Sequence, residues 1–251
     1  MIQLKNICKG FGNRQIINDL NLHIKKGETL VIIGGSGTGK SVTLKLIMGT
    51  LTPDSGEILV NNENIWGNPP QSLNNARLLM GTLFQGAALL NSLSVFDNIA
   101  LPLVEHSKMS KEEIKEQVYS TLKLVDMDHA ADKLPSEISG GMAKRAGLAR
   151  AIIRHPDIIL YDEPTSGLDP IMSHVIDELC MSLKEKFAVT SIVVTHDMTS
   201  AYRIADRIAY LYNGKVEMIG TPDEIKGSNN PLVHQFINGN INGPLTEVTV
   251  S

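Results

Sequence analysis

A chain of 251 residues, 42% apolar and 20% charged, can bury one large core or a core with a subdomain, and its composition is that of an ordinary globular protein. A formal charge of −4 without a long basic run excludes the electrostatic footprint of a nucleic-acid binder, and two cysteines, Cys8 and Cys180, exclude a disulfide framework and lack metal-ligand spacing. No apolar run reaches the ~18–20 residues that span a bilayer, and Met1-Ile2-Gln3-Leu4-Lys5 has no signal core, so a cytoplasmic chain that does not itself cross a membrane is expected.

In chain order, Ile2 and Leu4 alternate, Lys9-Gly10-Phe11-Gly12-Asn13 reads as a turn, and Leu20, Leu22 and Ile24 alternate again, so residues 1–33 form a β-rich entry. Phe11 then lies in a loop, either as a plug on a small sheet or as a stacking surface for a base. Residues 28–33 read as a buried strand, 34–41 as a glycine loop, and 42–48 as a helix stopped at Gly49. A turn at 52–56, a strand at 57–60, an Asn/Pro-rich loop at 61–75 and a strand at 80–84 lead into Gln85-Gly86. The period is then helical to about residue 155. Ser110-Lys111-Glu112-Glu113 is a capping box, Ile114, Val118, Leu122 and Val125 form one apolar stripe, and Ser139-Gly140-Gly141 opens a basic helix beyond the break at Pro135. Strands return at 158–161, 190–194 and 207–212, separated by helices at about 171–186 and 198–205. Apolar strands alternating with helices predict an α/β fold with a parallel sheet covered on both faces. The expected organisation is a core from 1–85 and 155–226, an inserted helical block at 86–154, and a tail at 227–251 with a short capped helix near residues 230–237.

Gly34-Gly35-Ser36-Gly37-Thr38-Gly39-Lys40-Ser41 fits GxxxxGK[ST], and its place between a strand and a helix is the setting that pattern requires. Glycines permit the positive φ angles that turn successive N–H groups inward, which makes a nest for a polyphosphate at a helix N-terminus. Lys40 supplies a point charge for the β- and γ-phosphates, and the Ser41 hydroxyl is placed to ligate Mg²⁺. These residues predict nucleoside triphosphate binding. Asp162-Glu163 closes the strand at 158–161, at the edge where open α/β sheets bind ligands. Adjacent acids there need a cation, so Asp162 is a Mg²⁺ ligand and Glu163 orients or deprotonates the attacking water. His196 follows the strand at 190–194 and suits a sensor of the γ-phosphate, while Gln85 can contact metal or water. Ser139-Gly140-Gly141 is a second nest, either folded around the same phosphate or serving a neighbouring subunit.

The ordered set of residues 34–41, Gln85, Ser139-Gly140-Gly141, Asp162-Glu163, Ser166-Gly167-Leu168-Asp169 and His196 resembles the nucleotide-binding subunits of ABC transporters over residues 1 to about 225. That resemblance implies a P-loop NTPase (RecA-like) core with a parallel sheet, an antiparallel β subdomain and an inserted helical subdomain. It also implies ATP and Mg²⁺ as cofactors and ATP hydrolysis to ADP and phosphate. In the family pattern Phe11 stacks on adenine, residues 34–41 with Val42 hold the phosphates, and Ser41, Gln85 and Asp162 serve the metal. Lys40, Gln85, Glu163 and His196 are the implied catalytic set. Ser139, Gly140 and Gly141 close over ATP on a second copy, and Asp169 crosses that interface in a head-to-tail dimer.

Where the family signature continues with glutamine, this chain has Met142, which lacks that glutamine's polar contact on the ribose side. The run from Gly140 to Ile152, with Phe84–Leu89, Val95–Leu103 and the tail Gln235-Phe236-Ile237-Asn238-Gly239, resembles the ATPases of Mla-type (MCE-linked) phospholipid transport systems. The implied partners are a second copy of the chain, a separate transmembrane permease, an MCE-domain protein and a small STAS-type regulator, with no nucleic acid. The implied place is the cytoplasmic face of the inner membrane. The tail is expected to pack on a neighbouring protomer through Leu232, Val233, Phe236 and Ile237. Other readings stay open at this point: the ATPase of a small-solute importer or lipoprotein-release system, a soluble ABC ATPase of repair or translation, and a non-hydrolytic nucleotide-binding regulator.

Overall fold

The computed structural model describes residues 1–67 and 71–246. The chain forms two compact units, one from Met1–Leu73 with the segment from Val194 onward, the other Asn74–Val193.

The first unit opens with β1 (Ile2–Phe11), β2 (Arg14–Ile24) and β3 (Thr29–Ile33), followed by α1 (Lys40–Ile47), β4 (Ser55–Val60) and β5 (Glu63–Asn64). β1 pairs antiparallel with β2 and β4, in the order β2-β1-β4-β5. The register sets Ile2, Leu4 and Ile7 opposite Ile24, Leu22 and Leu20, so one face of the hairpin is a continuous buried apolar surface. Phe11 does not lie in a loop as the glycines around it suggest. It ends β1, paired with Arg14, and the connection shrinks to Gly12-Asn13, with Gly12 at φ +58°.

The second unit carries α2 (Gln71–Leu78) at its border, then β6 (Met80–Leu83), α3 (Val95–His106), α4 (Lys111–Leu124), α5 (Gly140–Ile152), β7 (Ile158–Asp162), α6 (Pro170–Phe187) and β8 (Thr190–Val194). β6 and β7 run parallel with Leu83 opposite Tyr161, and β8 flanks β7. The apolar stripe of α4 is core: Val118, Leu122 and Val125 are buried with Val95, Ile99 and Leu103 of α3 and Ala146 and Ala149 of α5, and Ile114 packs against them. Each large aliphatic side chain buried in this way contributes ~1.5–3 kcal/mol. The Ser110 capping box forms, with Glu113 N–H donating to Ser110 Oγ and Ser110 N–H donating to the Glu113 carboxylate. The stretch 61–75 is not all loop. It contains β5 and the start of α2, a helix whose only buried residue is Ala76 and which therefore shows no apolar period.

The chain returns to the first unit with α7 (Met198–Ile204), β9 (Arg207–Tyr212), β10 (Lys215–Gly220), α8 (Pro222–Lys226) and α9 (Pro231–Asn238). β3, buried at every position, pairs parallel with β9, and β9 turns antiparallel into β10. The tail helix α9 is capped by Asn230, whose side chain accepts from Leu232 and Val233 N–H. Val233 is fully buried and so is not available to a neighbouring copy, whereas Leu232, Phe236 and Ile237 are half-buried, with Phe236 meeting Tyr210 at 5.2 Å between ring centroids.

Candidate active site

In the first unit, the glycine loop joins the end of β3 to α1. Its glycines are dictated by space as much as by backbone angle. Gly34 sits at φ +154°, where a Cβ would meet Leu211 O at 2.5 Å and Thr38 Oγ1 at 2.8 Å. Gly39, at φ +104°, is the residue before α1, and a Cβ there would collide with Ile17 Cδ1. The loop is closed by Thr38, whose hydroxyl donates to Gly35 O at 2.9 Å. The Lys40 ammonium folds back over it, donating to Gly34 O at 2.7 Å and Gly35 O at 2.9 Å.

α1 starts without a side-chain cap on Gly39, in contrast to α3, α4, α5 and α6, whose starts are capped by Ser94, Ser110, Ser139 and Asp169. Uncapped leading N–H groups beside an ammonium form a donor set that fits a polyphosphate. A cleft of about 280 Å³ opens here, lined by Phe11, Arg14, Ile16, Gly37, Gly39, Lys40, Ser41 and Val42. The Phe11 ring is half exposed at its mouth, with Lys9 Nζ 5.7 Å from the ring centroid. Thus Phe11, Gly37, Gly39, Lys40, Ser41 and Val42 line one cleft. His196 is exposed, one residue beyond Thr195, whose N–H donates to Ile32 O at 3.2 Å. That bond sets the His196 loop beside the end of β3 from which the glycine loop departs.

In the second unit, Gln85 lies two residues past β6, and Asp162 and Glu163 lie at the end of β7. Both acids are half-buried, and Glu163 has φ +50°, a left-handed conformation that is uncommon outside glycine. Ser166 N–H donates to Glu163 O at 3.2 Å, and Gln85 Nε2 lies 3.5 Å from Ser166 Oγ, so the Gln85 side chain and the Glu163 turn meet. The hard oxygen donors of Asp162 and Ser41 are of the kind Mg²⁺ selects.

Ser139 caps α5, its Oγ accepting from Met142 N–H at 3.3 Å. Gly140 is exposed, whereas Gly141 is buried where a Cβ would meet Met172 Cε at 2.8 Å. Met142 packs against the α3–α4–α5 core, so the position that departs from the family signature serves an apolar contact. Asp169 caps α6, with Oδ1 accepting from Ile171 N–H at 2.9 Å and Met172 N–H at 3.0 Å.

Three cations escaped the sequence reading. Arg14 lines the cleft beside the phosphate loop. Lys144 and Arg150, on α5, donate to backbone carbonyls at the ends of β6 and β7. Burial pushes the Lys144 ammonium's pKa down, while the charges of Asp162 and Glu163 pull it up. The alternation of small residues along α5 hid these contacts, since a lysine or arginine on a basic helix ordinarily faces solvent.

Residues 17–166 match the sequence profile of the ABC transporter family. The chain is 42% identical to the intermembrane phospholipid transport system ATP-binding protein MlaF of Haemophilus influenzae, over 98% of this chain and 93% of that protein. It is 41% identical to the probable ribonucleotide transport ATP-binding protein mkl of Mycobacterium leprae, over 97% of this chain and 70% of that one. Among solved structures, a dimeric ATP-binding cassette in a post-hydrolysis state with ADP and Pi superposes with a TM-score of 0.81 at 34% identity, covering 88% of this chain and 99% of the other. The chain belongs to the ABC transporter family, as an ATPase cassette.

Proposed function

We propose that this cassette hydrolyses ATP to power phospholipid transport through a separate transmembrane permease. The observation that carries the cargo is the 42% identity to MlaF, which runs nearly end to end on both chains.

The proposed chemistry follows from the residues. Phe11 stacks on the base, and residues 34–42 hold the phosphates through backbone N–H groups and the Lys40 ammonium. Ser41, Asp162 and Gln85 are the residues that would hold Mg²⁺, which would supply positive charge against that developing on the phosphates. Glu163 orients the attacking water and accepts its proton, while His196 donates to the γ-phosphate. Ser139, Gly140, Gly141 and Asp169 act on the nucleotide of a second copy, completing a head-to-tail dimer. The exposed Gly140 lets the start of α5 approach that nucleotide closely.

No helix among the described residues is long and apolar enough to cross a membrane. We place the cassette peripherally on the cytoplasmic face of the inner membrane. A groove of about 450 Å³ in the second unit is the proposed permease seat. Phe84, Leu90, Leu101 and Pro102 give it an apolar wall, and Arg77, Arg150 and Arg154 suit an acidic residue on the incoming segment. Phe84 and Ala88 bring it up to the Gln85 loop, so an occupant would press on that loop directly.

The 41% identity to a protein named for ribonucleotide transport favours a second cargo, nucleotides. Purification of the tagged chain from detergent-solubilised native membranes separates the two. A polytopic permease recovered with an MCE-domain protein and bound phospholipid is the expected outcome. A permease recovered with a small-solute binding protein, and without lipid, would keep the engine and replace the cargo.

A further inference from the structure

We propose that Lys144 is a positioning residue for hydrolysis, its ammonium tying together the ends of β6 and β7 so that the Glu163 carboxylate and the Gln85 amide stand at fixed places. The inference rests on the reading of Glu163 as the group that orients water.

Lys144 is 5% exposed, and its Nζ donates to Gln85 O and, at 3.0 Å, to Glu163 O. The two carbonyls are equivalent by register. β6 and β7 end their pairing at Leu83 opposite Tyr161, and each carbonyl lies two residues beyond. Past that point no ladder holds the two chains at a common height. The ammonium does so instead. The Glu163 backbone needs such a hold, because its φ of +50° is unfavourable by ~1–2 kcal/mol for a residue with a Cβ. Two donors, Lys144 Nζ and Ser166 N–H, converge on the Glu163 carbonyl and fix the turn from which the carboxylate projects.

An apolar side chain at 144 would remove one donor from each of the Gln85 and Glu163 carbonyls, Ser166 N–H remaining on the latter. A lysine's three tetrahedral donors suit two carbonyls that approach from different strands. The same helix extends the hold, as Arg150 donates to Ala87 O and Ala88 O, each at 2.7 Å, across two alanines at φ +59° and +49°. Lys144 stands about one and a half turns from Ser139, the cap of α5, so a single helix carries the signature cap and the tie to the hydrolytic carboxylate.

The test compares steady-state ATPase of the full chain, Lys144→Met, Lys144→Arg and Glu163→Gln, with Mg-ATP affinity measured separately by calorimetry. The methionine variant is expected to lose tenfold or more in kcat with Mg-ATP affinity within twofold, because no phosphate contact changes. The arginine variant, which keeps charged donors, is expected to recover to within about threefold of the parent. In the Glu163→Gln background, Lys144→Met should change the residual rate less than twofold. A Lys144→Met kcat within twofold of the parent would overturn the proposal. So would equal losses in the methionine and arginine variants, or losses that multiply in the double variant. If Lys144→Met does not fold, Lys144→Gln, whose shorter, uncharged side chain carries two amide N–H donors in place of the ammonium, carries the same comparisons. Absence of hydrolysis by the parent chain would instead overturn the reading of the site itself.

Discussion

Gly140→Ala separates stability from function at the start of α5. The residue is exposed and helical, and a Cβ built on it meets nothing closer than Leu168 Cδ2 at 3.9 Å, an ordinary van der Waals contact. No strain opposes the methyl group. Replacing glycine by alanine within a helix gains ~1 kcal/mol. In the first position of α5, half of that is a fair share, which corresponds to a rise of ~1–2 °C in Tm for a chain of this size. The proposed role demands the reverse in activity. If the backbone at Gly140 closes on the terminal phosphate of a neighbour's ATP, a methyl there holds the N–H groups of α5 off the phosphate, and loss of one such donor costs ~10²–10³ in rate. Calorimetric melting and a coupled ATPase assay on the same preparation read both effects. The expected result is an unchanged or slightly raised Tm with hydrolysis reduced at least tenfold. Hydrolysis within twofold of the parent at saturating Mg-ATP would refute the role assigned to this glycine.

Lys40→Ala removes the ammonium that now rests on Gly34 O and Gly35 O, and loss of a charge-assisted contact worth ~1.5–3 kcal/mol should raise the Kd for ATP tenfold or more in a titration calorimeter. Gly81→Ala drives a Cβ into the Ala151 carbonyl, with Pro156 Cγ at 3.1 Å; the backbone cannot yield as a side chain would, so a loss of ~1–3 kcal/mol in urea unfolding is expected. Burial pushes the Cys180 thiol up to about 12. Only ~10⁻⁴ of Cys180 is then thiolate at pH 8, so a maleimide should label it in denaturant and leave it unlabelled in the native protein, as mass spectrometry of the peptides will show.

The glycine loop was legible because its requirements are local: a strand, positive φ angles and a lysine at fixed spacing. The same holds for the Ser110 box and the α4 stripe, where three or four residues state the structure alone. α2 was hidden because one buried alanine gives no period to read. β10 did leave a signal in Asn213-Gly214, both left-handed, which is the pair a tight hairpin favours. Lys144 left none. Its partners lie 59 and 19 residues away, and only the convergence of three elements turns a basic helical residue into a buried tie. In the tail, the burial of Val233 and the contact of Phe236 with Tyr210 were equally illegible, since they depend on residues distant in sequence.

The central claim is that Glu163 hydrolyses ATP held in a head-to-tail dimer of this chain. Light scattering on the eluting Glu163→Gln protein in saturating Mg-ATP tests it most directly. A mass twice the 27.3 kDa of the chain, returning to one chain's mass when nucleotide is withdrawn, is the predicted result. A monomer under saturating Mg-ATP would contradict the account.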